Sequence, residues 1–153
     1  MPQGPASLAS LRDFFAGAPA AARAIRPLSP AARVGLELDE GPAAFEVRAG
    51  VAVLSAGAPA DPDFTLRLPA AAVARLCHHR GAGVGELGVL FFTLALERDP
   101  ALKVRARLHA PTARLVGNGY LAVLALGGPA VLLWLLRRGL SDPRAVLERL
   151  RPR

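Results

Sequence analysis

The chain has 153 residues, 52% of them hydrophobic and 20% charged, with a net charge of +7 and one cysteine, Cys77. That length fits one domain with an adequate core, and a lone cysteine excludes an internal disulfide framework, so nothing demands an oxidising compartment. Its pI near 11.3 raises nucleic acid as a partner, but no basic stripe carries interleaved aromatics on which bases would stack, and no nucleic-acid partner is expected.

The charge is unevenly placed. Residues 1–100 hold nine arginines against ten acids, whereas residues 101–153 hold ten Lys plus Arg against two. The start, MPQGPASLASLRDFF, lacks the basic region and sustained apolar stretch of a signal peptide, which makes the cytoplasm the expected compartment. Leu8, Leu11 and Phe15 then fall at helical spacing with Ser7 as a cap, Gly17 and Pro19 end that helix, and an Ala-rich piece runs to Arg26.

The pattern then changes to alternation. Val34, Leu36 and Leu38 share one face, Phe45 and Val47 alternate with Glu46 and Arg48, VAVLSAG follows Ala49-Gly50, and Phe64, Leu66 and Leu68 oppose Thr65 and Arg67. Four strands joined by tight turns predict an antiparallel meander. Pro69 opens a helix closed by Gly81, and a second runs from about Glu86 to Arg98. That second helix is apolar almost all round from Leu87 to Leu96, so burial on most sides is expected. A further strand over Leu102–His109 puts Lys103, Arg105, Arg107 and His109 outward, and Thr112 to Val116 reads as one more short strand before the Asn118-Gly119 turn.

From Leu115 to Leu136 no side chain is charged, and Arg137 and Arg138 close the run. It has the length of a membrane span, but Gly127-Gly128-Pro129 divides it, because glycine and proline cost a helix interior about 1 and about 3 kcal/mol. Two short helices result, Tyr120–Leu126 and Pro129–Arg138, and neither crosses a bilayer. The tail SDPRAVLERLRPR adds a last helical turn or two.

Catalytic and metal constellations are weak. Gly83, Gly85 and Gly88 match G-x-G-x-x-G, but a helix precedes them where a dinucleotide site needs a strand. Cys77, His78 and His79 are consecutive, so on a helix they diverge by about 100° per residue and cannot converge on one ion. No nucleophile elbow exists among the serines, and Asp61 and Asp63 flank Pro62 as solvated turn residues. No catalytic residue, metal or cofactor is expected.

The order of elements resembles the sterol carrier protein type 2 family over about residues 33–136. RVGLELDEGPAAFEVRAGVAVLSAG matches its meander, DPDFTLRLPAAAVARL its strand-to-helix segment, and ARLVGNGYLAVLAL its strand, Gly-Asn turn and apolar helix. The chain departs by placing DPALKVRARLHAP before the turn, so the fifth strand is Leu102–His109, Ala113–Val116, or both. The resemblance implies an α+β fold with a mostly antiparallel five-stranded sheet and helices over one face. It also implies non-enzymatic binding of a sterol, fatty acyl or isoprenoid lipid in a tunnel lined by the later helices. Residues 1–32 would be a helical segment packing on a lipid-binding domain at 33–140, with a basic tail at 141–153. The lining candidates are Phe91, Phe92 and Leu94, then Leu121 and Leu124, then Leu132, Leu133 and Trp134, the last of which also suits a membrane interface. The Arg-rich C-terminal part would dock weakly on anionic membranes. The alternatives are a peripheral membrane anchor using the same apolar helices outwardly, a protein-interaction module, or helices that simply complete the core.

Overall fold

A computed structural model describes residues 7–126 and Arg137, the side chains of Leu124 and Ala125 excepted. The alternating segments form β1 (Arg33–Leu38), β2 (Gly41–Arg48), β3 (Val51–Ala56) and β4 (Phe64–Leu68), and β5 is Arg105–Leu108. Alternation sends Val34, Leu36, Leu38, Phe45, Val47, Leu54 and Leu68 into one core cluster. The opposite face carries charge, with Glu46 between Arg33 at 3.6 Å and Arg48 at 2.9 Å.

Six helices occur among the described residues: α1 (Ser7–Gly17), α2 (Pro19–Ile25), α3 (Ala70–His78), α4 (Val84–Ala95), α5 (Thr112–Gly117) and α6 (Tyr120–Leu126). The first four contribute Leu11, Ile25, Ala72, Val73 and Leu94 to the same core as the strands. The fold is therefore α+β, with helices over one face of a five-stranded sheet.

The strand order is β3-β2-β1-β4-β5. β1, β2 and β3 form an antiparallel meander, and β5 is antiparallel to β4. The expected fourth meander strand is different: β4 lies beside β1 and parallel to it, from Val34↔Phe64 to Leu38↔Leu68. Alternation fixes which face a residue takes but not which neighbour a strand chooses. The β2–β3 hairpin turns at Ala49 and Gly50, both with positive φ (51° and 75°), as a two-residue primed turn requires.

Two other expectations change. The fifth strand is the Leu102–His109 candidate, while Thr112–Gly117 is helical, so the chain meets the Asn118-Gly119 turn from a helix rather than a strand. The cap of α1 is also not Ser7. The Glu40 carboxylate accepts the Ser7 and Leu8 amides at 3.1 and 2.8 Å, while neighbouring Asp39 accepts Ala70 N–H at 3.0 Å and Arg67 at 2.7 Å. One β-turn thus places acids at the N-terminal ends of two helices, where free amides and the helix dipole favour them. The Ala70 amide and Arg67 hold Asp39 below the usual carboxylate range against the opposing effect of burial.

Candidate functional site

The apolar helices are placed in a way their composition did not anticipate. α4 reads VGELGVLFFTLA, with Glu86 its only charge, yet Leu94 is its only buried residue. Expected burial on most sides is met only in part: α4 packs mainly against α2, α3 and α6, and its apolar side chains other than Leu94 are half-buried. Leu90 and Phe91 touch the main core from outside, and Leu87 packs beside Phe14, Ala18 and Ala21. Leu96, which follows the helix, is 47% exposed. Next to α4, α6 presents Leu121 at 44% and Leu126 at 36% exposure. α4 and α6 are neighbours, and both leave apolar side chains partly exposed among the described residues.

The predicted lining residues divide accordingly. Phe91 and Phe92 are half-buried on α4, with ring centroids 5.9 Å apart and edge to face. Leu94 is 1% exposed and belongs to the core, where its carbonyl accepts Val104 N–H at 3.1 Å and ties α4 to the approach to β5. Leu121 stands on the exposed side of α6. Leu124 lies on α6 with its side chain outside the described residues, and Leu132, Leu133, Trp134 and the expected 129–138 helix also lie outside them, Arg137 excepted.

Besides the Tyr120 ring on Phe64, with centroids 4.9 Å apart, a polar hub fastens the start of α6. Asp63, immediately before β4, is 1% exposed, contrary to the solvated role expected from its Pro62 neighbour. Its Oδ1 accepts Arg114 Nε at 2.8 Å; its Oδ2 accepts Tyr120 Oη at 2.6 Å, Asn118 Nδ2 at 2.8 Å and Arg33 N–H at 3.1 Å. The Asp63 amide donates to Arg33 O at 2.7 Å and its carbonyl accepts both His109 and Ala110 N–H at 3.0 Å. Arg114 also reaches the exposed Asp61 carboxylate at 2.9 Å. Arg114 on α5, Asn118 at its C-cap and Tyr120 opening α6 thus converge on one carboxylate, so Asp63 fastens the helix pair to the end of the sheet.

Burial alone would raise the Asp63 pKa, but donation from Tyr120, Arg33 N–H, Asn118 and Arg114 outweighs it and lowers it. Tyr120 is pushed far up by burial and by its bond to Asp63, and so stays a protonated donor. Both carboxylate oxygens of Asp63 accept bonds from fixed donors, which suits an anchor rather than a group that exchanges protons with a substrate. The turn itself is docked: Asn118 O accepts Ser29 N–H at 3.0 Å, and Gly119 has φ of 91° with the Pro27 carbonyl where a Cβ would stand.

Sequence reasoning missed this hub. The available signal was Arg114 and Asn118 at i, i+4, which puts both on one side of a helix turn.

The other constellations have structural partners. The Cys77 thiol donates to Ser10 O at 3.6 Å, and burial pushes its pKa up. His79 Nδ1 lies 2.8 Å from Arg75 O, and His109 Nε2 lies 2.9 Å from Thr65 Oγ1. Gly83 precedes α4 and follows α3 rather than a strand. No group of three metal-ligating side chains occurs among the described residues, and none of their helices is long and apolar enough to cross a membrane. Two shallow clefts lie at α1, about 270 Å³ against β3 and about 200 Å³ against Cys77 and Arg80; no predicted lining residue borders either. No protein-family model, curated protein or solved structure matches the chain.

Proposed function

We infer that the protein binds a hydrophobic molecule (a sterol, fatty acyl chain or isoprenoid) against α4 and α6 and carries it without chemical change. The observation behind this reading is α4 itself, a nearly uncharged helix of which only Leu94 is buried. Apolar area left in water forfeits about 25 cal/mol for each Å², and partly exposed apolar side chains on α4 and α6 suit a binding surface. The likeness of three stretches to the sterol carrier type 2 family agrees with it, as does an α+β sheet with helices over one face. Leu132, Leu133 and Trp134 would complete the apolar surround. The Arg-rich C-terminal part would add salt-sensitive docking on anionic membranes, from which the ligand would be taken or to which it would be delivered.

Native mass spectrometry of the protein purified without detergent tests the reading. One co-purified lipid per chain, or saturable displacement of a fluorescent polyene fatty acid, is the expected result. A soluble protein with neither would overturn it. Solubility only in detergent would instead favour a membrane anchor using the same helices.

A further inference from the structure

The two edges of the sheet are built differently. β5 carries Arg105 and Arg107, with Lys103 just before it, and charge on an edge strand discourages further strand pairing. The β3 edge, Val51–Ala56, has no charge and no proline, and Val51 is 61% exposed.

The register shows which backbone groups that edge offers. A two-residue turn makes Arg48 and Val51 a mutually hydrogen-bonded pair. Val51, Val53 and Ser55 therefore direct their amides and carbonyls to β2, and Ala52, Leu54 and Ala56 direct theirs away from the sheet. Two bonds agree with this phase. Gly57 N–H, in register with the inward set, donates to Pro42 O at 2.9 Å, and Leu54 O, in the outward set, accepts Arg12 Nε at 2.9 Å.

That second bond places a cation at the edge. Arg12, Phe15 and Ala16 of α1 and Val51–Leu54 of β3 enclose the cleft of about 270 Å³. Arg12 is exposed, and no ion pair joins it to a carboxylate among the described residues. The cleft thus combines an outward row of backbone donors and acceptors, one of which (Leu54 O) Arg12 already bonds, with apolar walls and a guanidinium that has no acid beside it in the cleft.

We propose that the cleft between α1 and β3 is a docking site for an extended, apolar peptide segment of a partner protein, which adds a strand to β3 and sets an acidic side chain against Arg12. Main-chain pairing along the edge supplies affinity and the flanking walls select alternate side chains, as in other β-augmentation. Charge complementarity picks this occupant over a second copy of the chain. A twofold pairing of β3 strands brings two Arg12 guanidinia to one joint, in a protein of net charge +7, with no acid in the cleft.

The test selects binders from a phage-displayed library of random dodecapeptides on the immobilised full chain. The selected peptide, with an acid between alternating β-branched or aromatic residues, should protect the Ala52 and Leu54 amides from hydrogen exchange. Ala52→Pro should weaken it by roughly tenfold or more, a change equal to about 1.4 kcal/mol. That substitution removes an outward N–H and leaves the β2 ladder whole, which edge strands tolerate. Arg12→Glu, at an exposed helix position, gives a second arm that does not depend on how Ala52→Pro folds. It should weaken the acidic peptide by a similar factor and restore binding to a version carrying lysine in place of the acid. Failure to enrich any peptide, enrichment of peptides indifferent to both substitutions, or a wild-type chain that sediments as a dimer and becomes monomeric as Ala52→Pro would overturn the proposal.

Discussion

Replacing Asp63 by asparagine changes the shape of the hub very little and its electrostatics a great deal. An amide has one acceptor oxygen. Turned to keep Arg33 N–H, Asn118 and Tyr120 on that oxygen, it points its NH2 at Arg114 Nε, now 2.8 Å from Oδ1, so two donors oppose each other. One bond to a charged group is lost, roughly 1.5–3 kcal/mol, and three others lose the charge that makes such bonds about twice as strong as neutral ones. Arg114 retains Asp61 at 2.9 Å, which keeps its charge compensated and holds the total near about 3 kcal/mol, the lower end for breaking a buried pair. At about 2–4 °C per kcal/mol for a domain of this size, the thermal midpoint should fall by roughly 6–12 °C. Denaturant titration followed by circular dichroism measures the change, and native-state hydrogen exchange locates it at Thr112–Leu126. Asp61→Asn is the control, since an exposed ion pair contributes only about 0–1 kcal/mol. Equal midpoints for Asp63→Asn and wild type, or equal losses for the two aspartates, would refute the hub.

Gly119→Ala should destabilise by roughly 2–3 kcal/mol, because it forces an L side chain to positive φ and onto the Pro27 carbonyl at once; a midpoint within error of wild type in a thermal melt would contradict the docked turn. Acid should act through Asp63 and Asp39, whose folded pKa values are lowered. The unfolded chain then binds more protons than the native one, so their stabilisation is present above about pH 4, the ordinary carboxylate value, and is lost as pH falls through the lower folded values. Denaturant midpoints measured from pH 6 downward should decline there, and Asp63→Asn should flatten the decline. Leu121→Glu should cost the fold less than about 1 kcal/mol, as surface substitutions do, yet weaken a bound acyl probe by about tenfold or more, the cost of one lost apolar side chain; unchanged probe affinity would remove α6 from the ligand surface.

How much of this was legible depended on whether the information was local. The first four strands were readable because Val34, Leu36, Leu38 and Phe45, Val47 alternate and Ala49-Gly50 fits one turn type. The helix Tyr120–Leu126 was readable because Asn118-Gly119 and Gly127-Gly128 bound it. The parallel β1–β4 pair was not, since alternation carries no neighbour order. Nor was α5: within six residues Leu115 and Val116 fit a strand as well as a helix, and the helix is held by Arg114 and Asn118 reaching Asp63, 51 and 55 residues away. The partial exposure of α4 escaped for the opposite reason. Apolarity all round predicts burial when a helix lies inside the core, but α4 lies against other helices at its margin. Among the expected ligand residues, sequence separated none of the exposed from the buried, so Leu94 and Leu121 looked alike.

The hub and the apolar surface explain each other. A helix of seven residues such as α6 does not form alone in water, because its nucleation cost exceeds what so few bonds return. The usual remedy is to bury its apolar stripe, yet Leu121 and Leu126 remain substantially exposed. Its position is therefore set at its N-terminal end: Tyr120, its first residue, bonds Asp63 and packs edge to face on Phe64, and the turn before it is clamped by Asn118 and Gly119. Orientation supplied at that end leaves Leu121 and Leu126 free of structural duty. A helix that packed its leucines into the core would be more stable and would have no apolar surface to offer. Fixing it by its end keeps that surface available beside α4, as the proposed binding of a hydrophobic ligand would require.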